Sequence, residues 1–346
     1  MEYIGIDVHK VHSQICRRTA TGEYEEQRIR TERHRFAEAW GGRTPARVLL
    51  EASTESEWVA RCLEELGHEV VVVDPNFGPM YGNRSNRVKT DLRDARMLCE
   101  AARSGVYRPA HRCSPETRHL RADLMIRHAL VKTRSRYISV IRTLLRTDGL
   151  RVRSGAAASF PERVGEVALP SGLGEQLAPL LEVLAVPNRK IAEASRVVAQ
   201  QADADVRTKR LQTFPGVGPV TAAAFVATLD TPERFATAGQ VRAFLGLVPR
   251  EYSSGESTHR GRITKAGNSR LRALLVEVAW SVLRARATAA AALRGWGIRV
   301  AARRGKRIAA VALARRIAGI LYAMWRDGRD FAPAIVAGHA GPASTI

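Results

Sequence analysis

The sequence predicts an α/β domain at the N-terminus, followed by regions that are mainly α-helical. Residues 1 to about 110 contain five short runs of β-forming residues between amphipathic helical stretches. No convincing strand occurs between 111 and 205, where apolar residues recur at helical spacing. Helical stretches again predominate from 206 to 346. A chain of 346 residues can hold these three regions as separate domains.

The predicted elements of residues 1–110 follow a definite order. The β-type runs are 3–8, 11–18, 24–30, 47–51 and 69–74. Thr21-Gly22-Glu23 predicts a hairpin turn between the second and third runs. Thr54, with Glu57 three residues later, predicts the N-cap of a helix that ends at Gly67, and a second helix follows over 91–103. Three antiparallel strands, a helix, further strands and a last helix form the order expected of an RNase H-like domain.

Four carboxylates in this region have a pattern typical of metal-dependent phosphoryl transfer. Asp7 and Glu51 each lie at the end of a predicted strand, where the backbone holds a side chain at the edge of a sheet. Asp91 and Asp94 are three residues apart on the predicted second helix and therefore share one face. Together the four acids match the layout that binds two divalent ions about 4 Å apart.

Each acid also has a simpler interpretation. Asp7 could begin a turn, and Glu51 could cap the helix that follows it. The two acids of the later helix could instead pair with Arg87 and Arg93 on a solvated face. The joint placement of all four favours the catalytic interpretation.

The charge of the chain indicates a polyanionic partner. There are 55 Lys and Arg against 34 Asp and Glu, a net charge of +21, and most of the cations are arginines, which bind phosphate in a bidentate manner. Nucleic acid is therefore favoured over a membrane surface. No apolar run approaches the ~20 residues that span a bilayer, and the first residues lack the layout of a signal peptide.

The four cysteines are far apart in the sequence and contain no CxxC pair. Neither a zinc site nor a disulfide framework is indicated, and a reducing cytoplasm is the expected location. They are Cys16, Cys62, Cys99 and Cys113.

Two long basic helices are predicted in residues 111–205. They could form a coiled-coil dimerisation arm or part of a plain helical bundle, because sustained heptads are absent and Pro187 is predicted to interrupt the second helix. Their apolar positions are Leu120, Leu124, Val131, Ile138, Ile141 and Leu145 in the first, and Leu177, Leu181, Leu184, Ile191 and Val198 in the second.

Residues 206–346 contain features expected of a nucleic-acid-binding domain. Gly216 and Gly218 lie between two predicted helices, as in a helix-hairpin-helix, where glycine lets the backbone approach a DNA phosphate. Residues 250–316 contain 16 Lys and Arg and three Asp and Glu, a net charge of +13, which predicts the main nucleic-acid surface. The candidate contacts are Arg250, Arg260, Arg262, Lys265, Arg270, Arg272, Arg303, Arg304, Lys306 and Arg307.

Two further features are ambiguous in the sequence. The polar loop 252–257 could be an ordinary turn, or it could present a reactive hydroxyl beside the basic stretch that follows. His9, His12 and His259 have no ligand-like partners in the sequence, and surface or core roles are predicted for them.

The chain resembles the IS110-type (IS110/IS1111) insertion-sequence transposases, the DEDD recombinases. The resemblance covers nearly the whole length in the right order and is weakest in the middle. Its motifs are Tyr3-Ile4-Gly5-Ile6-Asp7-Val8-His9-Lys10, Glu51-Ala52, Lys89-Thr90-Asp91-Leu92-Arg93-Asp94-Ala95, Pro215-Gly216-Val217-Gly218, Phe244-Leu245-Gly246-Leu247-Val248-Pro249, Ser254-Gly255, Gly261-Arg262-Ile263-Thr264-Lys265-Ala266-Gly267-Asn268 and Leu271-Arg272.

The resemblance implies a RuvC-like N-terminal domain whose four acids are Asp7, Glu51, Asp91 and Asp94, binding Mg²⁺ or Mn²⁺. It implies a C-terminal transposase domain whose nucleophile, by its position before the glycine, is Ser254, with Ser253 next to it. It further implies a dimer or tetramer that shares active sites between subunits, acts on element-end and target DNA, and is guided by a structured RNA.

Two other classes of function remain open from the sequence. A RuvC-like junction-cutting nuclease would use the four acids with water and would not need Ser254. A non-enzymatic helix-hairpin-helix DNA-binding protein would need neither the acids nor the serine.

Overall fold

The computed structural model describes residues 1–19, 21–81, 90–254, 257–285 and 289–333, and only the backbone of 81, 252–254 and 257–260. Residue contacts divide the chain into two compact units, Met1–Cys113 and Ser114–Ile346. Each unit has its own hydrophobic cores.

The first unit is a mixed sheet with helices, as predicted. Its sheet order is β3-β2-β1-β4-β5, in which β1, β2 and β3 are antiparallel neighbours and β1, β4 and β5 run parallel. The predicted strand bounds are confirmed to within one residue. The elements are β1 (Glu2–Val8), β2 (His12–Arg18), β3 (Tyr24–Arg30), α1 (Arg33–Trp40), β4 (Ala46–Glu51), α2 (Ser56–Glu65), β5 (Glu69–Val73) and α3 (Asp91–Ser104).

The two faces of the central strand β1 have different partners. Ile4 and Ile6 belong to a core that includes Phe36 and Trp40 of α1. Gly5 faces the opposite side of the sheet, because successive residues of a strand face alternate sides. A Cβ atom built on Gly5 would lie 2.1 Å from the Ala95 carbonyl oxygen and 2.3 Å from the Cys99 amide nitrogen, both in α3. Glycine therefore allows α3 to pack directly on the backbone of β1.

The helix boundaries confirm one expectation and correct another. α3 begins at Asp91, where the Thr90 hydroxyl accepts a hydrogen bond from the Arg93 amide at 3.4 Å. Thr54 was predicted to cap the preceding helix, and this is wrong. The Ser53 and Ser56 hydroxyls instead accept each other's amide hydrogen bonds at 3.2 and 3.1 Å, which satisfies these donors without Thr54.

The second unit is mainly helical, as predicted, with one pair of strands. The polar residues 252–254 and 257, which were predicted as part of a loop, belong to the antiparallel strands β6 and β7. Backbone hydrogen bonds can pair two strands without an apolar sequence pattern. The elements are α4 (Pro115–Thr147), α5 (Phe160–Gly165), α6 (Leu173–Ala204), α7 (Val206–Gln212), α8 (Pro219–Leu229), α9 (Ala238–Phe244), β6 (Pro249–Ser254), β7 (Ser257–Ile263), α10 (Ser269–Arg284), α11 (Ala291–Arg304) and α12 (Lys306–Arg326).

The long helices α4 and α6 pack side by side in opposite directions. Arg127 Nε donates to Ser195 Oγ at 2.9 Å, and Arg134 Nη1 donates to Asn188 Oδ1 at 3.2 Å. The prediction that Pro187 interrupts α6 is wrong, because the helix is continuous through it. A proline inside a helix costs about 3 kcal/mol, and Pro187 is buried, so packing against neighbours can offset this cost.

The last helix, α12, is the centre of the largest core. By length and composition it could cross a membrane, contrary to the sequence-based expectation that no run is long enough. However, 72% of its apolar window is buried inside the protein, where it packs against α9, α10 and α11. Its apolar character is therefore that of a core helix.

Candidate metal centre

Strand pairing brings two of the predicted acids to neighbouring positions. The parallel register places Ile6 opposite Leu50, so Asp7 and Glu51 follow at the same ends of adjacent strands. Asp7 and Gly5 are two residues apart on β1 and therefore face the same side of the sheet, the side against which α3 packs. Both acids therefore lie at one end of the sheet face that α3 covers.

The first turn of α3 supplies the other two acids. Asp91 is exposed, whereas Asp94 is buried with 5% of its surface accessible. The next turns of the helix pack on the sheet through Ala95 and Leu98, which are also buried. This packing fixes the first turn beside the ends of β1 and β4.

His9 lies between two of these acids, although it was not predicted as a site residue. Its Nε2 atom is 3.2 Å from Asp7 Oδ2 and 3.4 Å from Asp91 Oδ1. One ligand atom from each of these three residues lies within 4.8 Å of the others. The prediction that His9 lacks partners is wrong. The sequence feature that could have predicted the contact is the position of His9 two residues after Asp7, since residues two apart in an extended chain share a face.

The electrostatics of Asp7 indicate that all four acids are close together. Burial, the largest cause, raises the pKa of Asp7 above its usual range, and the negative charges of Asp94, Asp91 and Glu51 raise it further. His9 lowers the pKa of the same carboxyl. A carboxyl surrounded by like charges and shielded from water favours the binding of a cation.

The donor set fits a hard divalent cation. Carboxylate oxygens are the ligands that Mg²⁺ and Mn²⁺ prefer, and a bound cation would offset the repulsion among these four groups. The side chains that could hold it are Asp7, Glu51, Asp91 and Asp94, with the His9 imidazole beside the first and third.

The glycine turn between α7 and α8 is anchored by neighbouring residues that are buried in the core. Gly216 has a φ of +89°, in the region that favours glycine, and Gly218 is the N-cap of α8. Phe214 and Val217 on either side of Gly216 are buried in the core of the second unit. The turn thus has a fixed shape, and its backbone amides begin a helix, where anions bind favourably.

The predicted basic residues have different surroundings. Arg272 donates from Nη1 to the carbonyl oxygens of Leu245 at 3.1 Å, Gly267 at 3.2 Å and Ala266 at 2.5 Å, and therefore stabilises a loop. The remaining residues whose side chains are described are exposed; they are Arg250, Arg262, Lys265, Arg270, Arg303, Arg304, Lys306 and Arg307. The Arg260 side chain lies outside the described part of the chain.

Ser254 is the last residue of β6 and pairs with Ser257 of β7. The side chains of Ser253 and Ser254 and the whole of residues 255 and 256 lie outside the described part of the structure. The backbone places Ser254 at the end of a strand hairpin.

Comparisons with known proteins identify the family. Residues 208–294 match the family described as "Transposase IS116/IS110/IS902 family", and residues 4–147 match a DEDD family of IS110 type described as "Transposase". A "Probable family 20 transposase" of Pseudomonas aeruginosa is 34% identical over 81% of this chain and 84% of its own. The chain belongs to the IS110 family of insertion-sequence transposases.

Other transposases that resemble the chain cover similar shares of it. The "Transposase for insertion sequence element IS1111A" of Coxiella burnetii is 30% identical over 94% of this chain and 89% of its own. The "Transposase for insertion sequence element IS1328" of Yersinia enterocolitica is 29% identical over 83% and 86%. As a transposase, the protein cleaves and rejoins DNA, and its DEDD family implies a divalent metal.

Proposed function

We propose that the protein is a serine-dependent DNA recombinase of its insertion sequence. In this proposal, the RNase H-like (RuvC-like) residues 1–110 hold Mg²⁺, or Mn²⁺, and residues 206–346 supply the nucleophile Ser254 and a helix-hairpin-helix. The observation that carries it is the convergence of Asp7, Glu51, Asp91 and Asp94 at one end of the sheet, where the other three charges raise the pKa of Asp7.

The bound ion would act as a Lewis acid, stabilising negative charge on the scissile phosphate. The four carboxylates would orient it, with Asp7 and Glu51 fixed by strand pairing and Asp94 fixed by burial. His9, in contact with Asp7 and Asp91, would hold both carboxylates in place.

The Ser254 oxygen would attack the phosphorus as the bond from phosphorus to the leaving deoxyribose oxygen breaks. The hydroxyl proton leaves to a water or a nearby base, and the leaving oxygen gains a proton. One phosphoester replaces another, so rejoining the DNA by the reverse step requires no ATP. An unassisted serine is a weak nucleophile near neutral pH, which explains the need for the acids as well.

The arrangement of subunits follows the family resemblance. We infer a homo-oligomer, a dimer or tetramer, in which residues 111–205 form the helical arm and active sites are shared between subunits. We infer that the protein is cytoplasmic and nucleoid-associated, where it acts on element-end and target DNA. The apolar residues left exposed on α4 support an arm that contacts another chain; they include Met125, Ile126 and Val140.

The test is a denaturing gel of the protein incubated with labelled element-end DNA and Mg²⁺. We expect a protein band that carries the DNA label, and its loss when a chelator is added. Metal-dependent nicks without a linked band would indicate a nuclease that uses water. Binding without either product would contradict the enzymatic proposal as a whole.

We further propose that a structured guide RNA directs target choice. Residues 250–316 carry a net charge of +13, and α4 adds further arginines, which is more positive surface than a short DNA site requires. The sequence also lacks a base-reading module such as a zinc finger or an RRM signature, so base pairing could supply the specificity.

We expect protein expressed with its native flanking DNA to retain one RNA species after purification at high salt. The measurement is sequencing of the bound RNA, with protein expressed without the flanking DNA as the control. Heterogeneous host RNA, together with recombination that continues after nuclease digestion of the RNA, would show that the protein reads DNA directly.

A further inference from the structure

Arginine side chains of the second unit converge on Gly319 of α12. The guanidinium of Arg242, in α9, lies across this glycine, and a Cβ atom built on Gly319 would be 2.3 Å from Arg242 Nη2 and 2.8 Å from its Nε. Arg315 and Arg316 precede Gly319 by one helical turn and lie on the same side of α12. Three guanidinium groups therefore share one patch, which we call the Gly319 patch.

The Gly319 patch extends to α11 through Arg316. The guanidinium carbon of Arg316 lies 4.4 Å from the ring centroid of Trp296, a distance at which the aromatic face attracts and orients the cation. Burial lowers the pKa of Arg316, and the positive charge of Arg299 lowers it further. The patch thus continues to Arg299, an exposed cation of α11.

Two of the three arginines of the patch, Arg242 and Arg315, have no carboxylate partner among the described residues. Arg242 is half-buried, and its Nε atom has no hydrogen-bond partner. Within the described ranges, neither Arg242 nor Arg315 forms an ion pair with a carboxylate. Burial lowers the pKa of Arg242, and the charges of Arg315 and Arg316 lower it further. Such an arrangement costs free energy in the unbound protein and favours an anion that enters it.

We propose that Arg242, Arg315 and Arg316 form a binding site for a phosphate group of the nucleic-acid backbone. Guanidinium groups bind phosphate through two parallel hydrogen bonds, and Gly319 provides the space in which Arg242 lies flat. The site rests on the proposed action on nucleic acid, and a polyanion suits it because the exposed Arg299 of α11 adds a further positive charge beside Arg316.

Replacing Arg242 by Gln tests the charge. We expect the affinity for a short labelled DNA duplex or RNA hairpin to fall roughly tenfold near 0.1 M salt, and the slope of log affinity against log salt to fall by about 1. Arg326→Gln is the matched control, since it removes the same charge from an exposed arginine that is paired with Asp327 at 2.7 Å. The control should change affinity by less than about twofold.

A thermal melt of the same variants separates binding from packing. Removing a half-buried cation that lacks a carboxylate partner relieves repulsion, so Arg242→Gln should melt at the wild-type temperature or above it. A lower melting temperature with unchanged nucleic-acid affinity would mean that Arg242 has only a structural role, and the proposal would be wrong.

Gly319→Ala tests the geometry without changing the charge. The added methyl would displace the flexible Arg242 guanidinium, and alanine is otherwise favoured in a helix by about 1 kcal/mol, so folding should be preserved. Gly295→Ala on α11 is the matched control, because its Cβ would meet only Arg299 Nη1 at an ordinary 3.7 Å. We expect weaker binding for Gly319→Ala alone.

Parallel titrations of Arg242→Gln with the DNA duplex and the RNA hairpin identify the source of the phosphate. The source is the nucleic acid for which the variant loses affinity. If neither probe loses more affinity than in the controls, the site does not exist. This result is independent of the denaturing gel. If the wild type forms the DNA-linked band and Arg242→Gln binds nucleic acid normally, the phosphate site alone is refuted. If Arg242→Gln binds more weakly but the wild type forms no linked band, the recombinase reaction alone is refuted.

Discussion

Asp7→Asn is expected to reduce DNA strand cleavage by roughly 10³-fold or more, because a carboxylate-held ion contributes several kcal/mol to stabilising the transition state. The substitution keeps the size of the side chain and removes its charge. DNA affinity should stay the same or rise slightly, since one negative charge facing the phosphates is lost. Cleavage is measured on labelled element-end DNA, and binding is measured in parallel.

Glu69→Gln is the matched control for this variant. Glu69 belongs to the same unit and makes an ion pair with Arg47 at 3.0 Å at the opposite end of the sheet, because it begins β5 whereas Glu51 ends β4. A melt with and without Mn²⁺ adds a measurement that does not depend on activity. The wild type and the control should gain stability from Mn²⁺, and Asp7→Asn should gain little. Wild-type cleavage by Asp7→Asn would rule out the proposed metal centre.

Ser254→Ala is expected to reduce recombination to background and to leave DNA binding intact. The missing hydroxyl removes the proposed nucleophile, whereas loss of one polar hydroxyl at a strand end should change the free energy of unfolding by less than about 0.5 kcal/mol. The same variant should give no DNA-linked band. Recombination assays, binding titrations and thermal melts together separate loss of chemistry from loss of folding.

Ser253→Ala is the natural control, because it removes a hydroxyl from the neighbouring residue. Mass spectrometry of trapped complexes from the wild type should place the DNA on Ser254. A DNA adduct on Ser253 would shift the assignment by one residue. An adduct on no serine would remove the nucleophile from the proposal.

Much of the first unit could be predicted from the sequence because its pattern is local. Runs of β-forming residues predicted the strands, and an acid at the end of a run, as at Asp7 and Glu51, predicts a side chain at a sheet edge. That the two acids are neighbours depends on β1 pairing parallel with β4, which the sequence pattern did not specify. Direct packing of α3 on Gly5 then brings the Asp91 and Asp94 turn to the same edge.

The features that the sequence did not predict depend on contacts between distant segments. His9 was interpreted as isolated because its second partner, Asp91, lies on α3, far along the chain. Arg242 lies in an uncharged stretch, so no local charge run marks it, and its neighbours come from α12. Pro187 was expected to break a helix, but tertiary packing outweighs local propensity there.

The contact between Gly5 and α3 also has a consequence for the newly made protein. β1 precedes α3 in the chain and leaves the ribosome before it, so the strand on which α3 packs exists before the helix that carries two of the acids. The four carboxylates meet only after every strand of the sheet has been synthesised. A nascent chain that ends before α3 therefore lacks the assembled cluster of acids, and under the proposed mechanism it cannot cleave DNA.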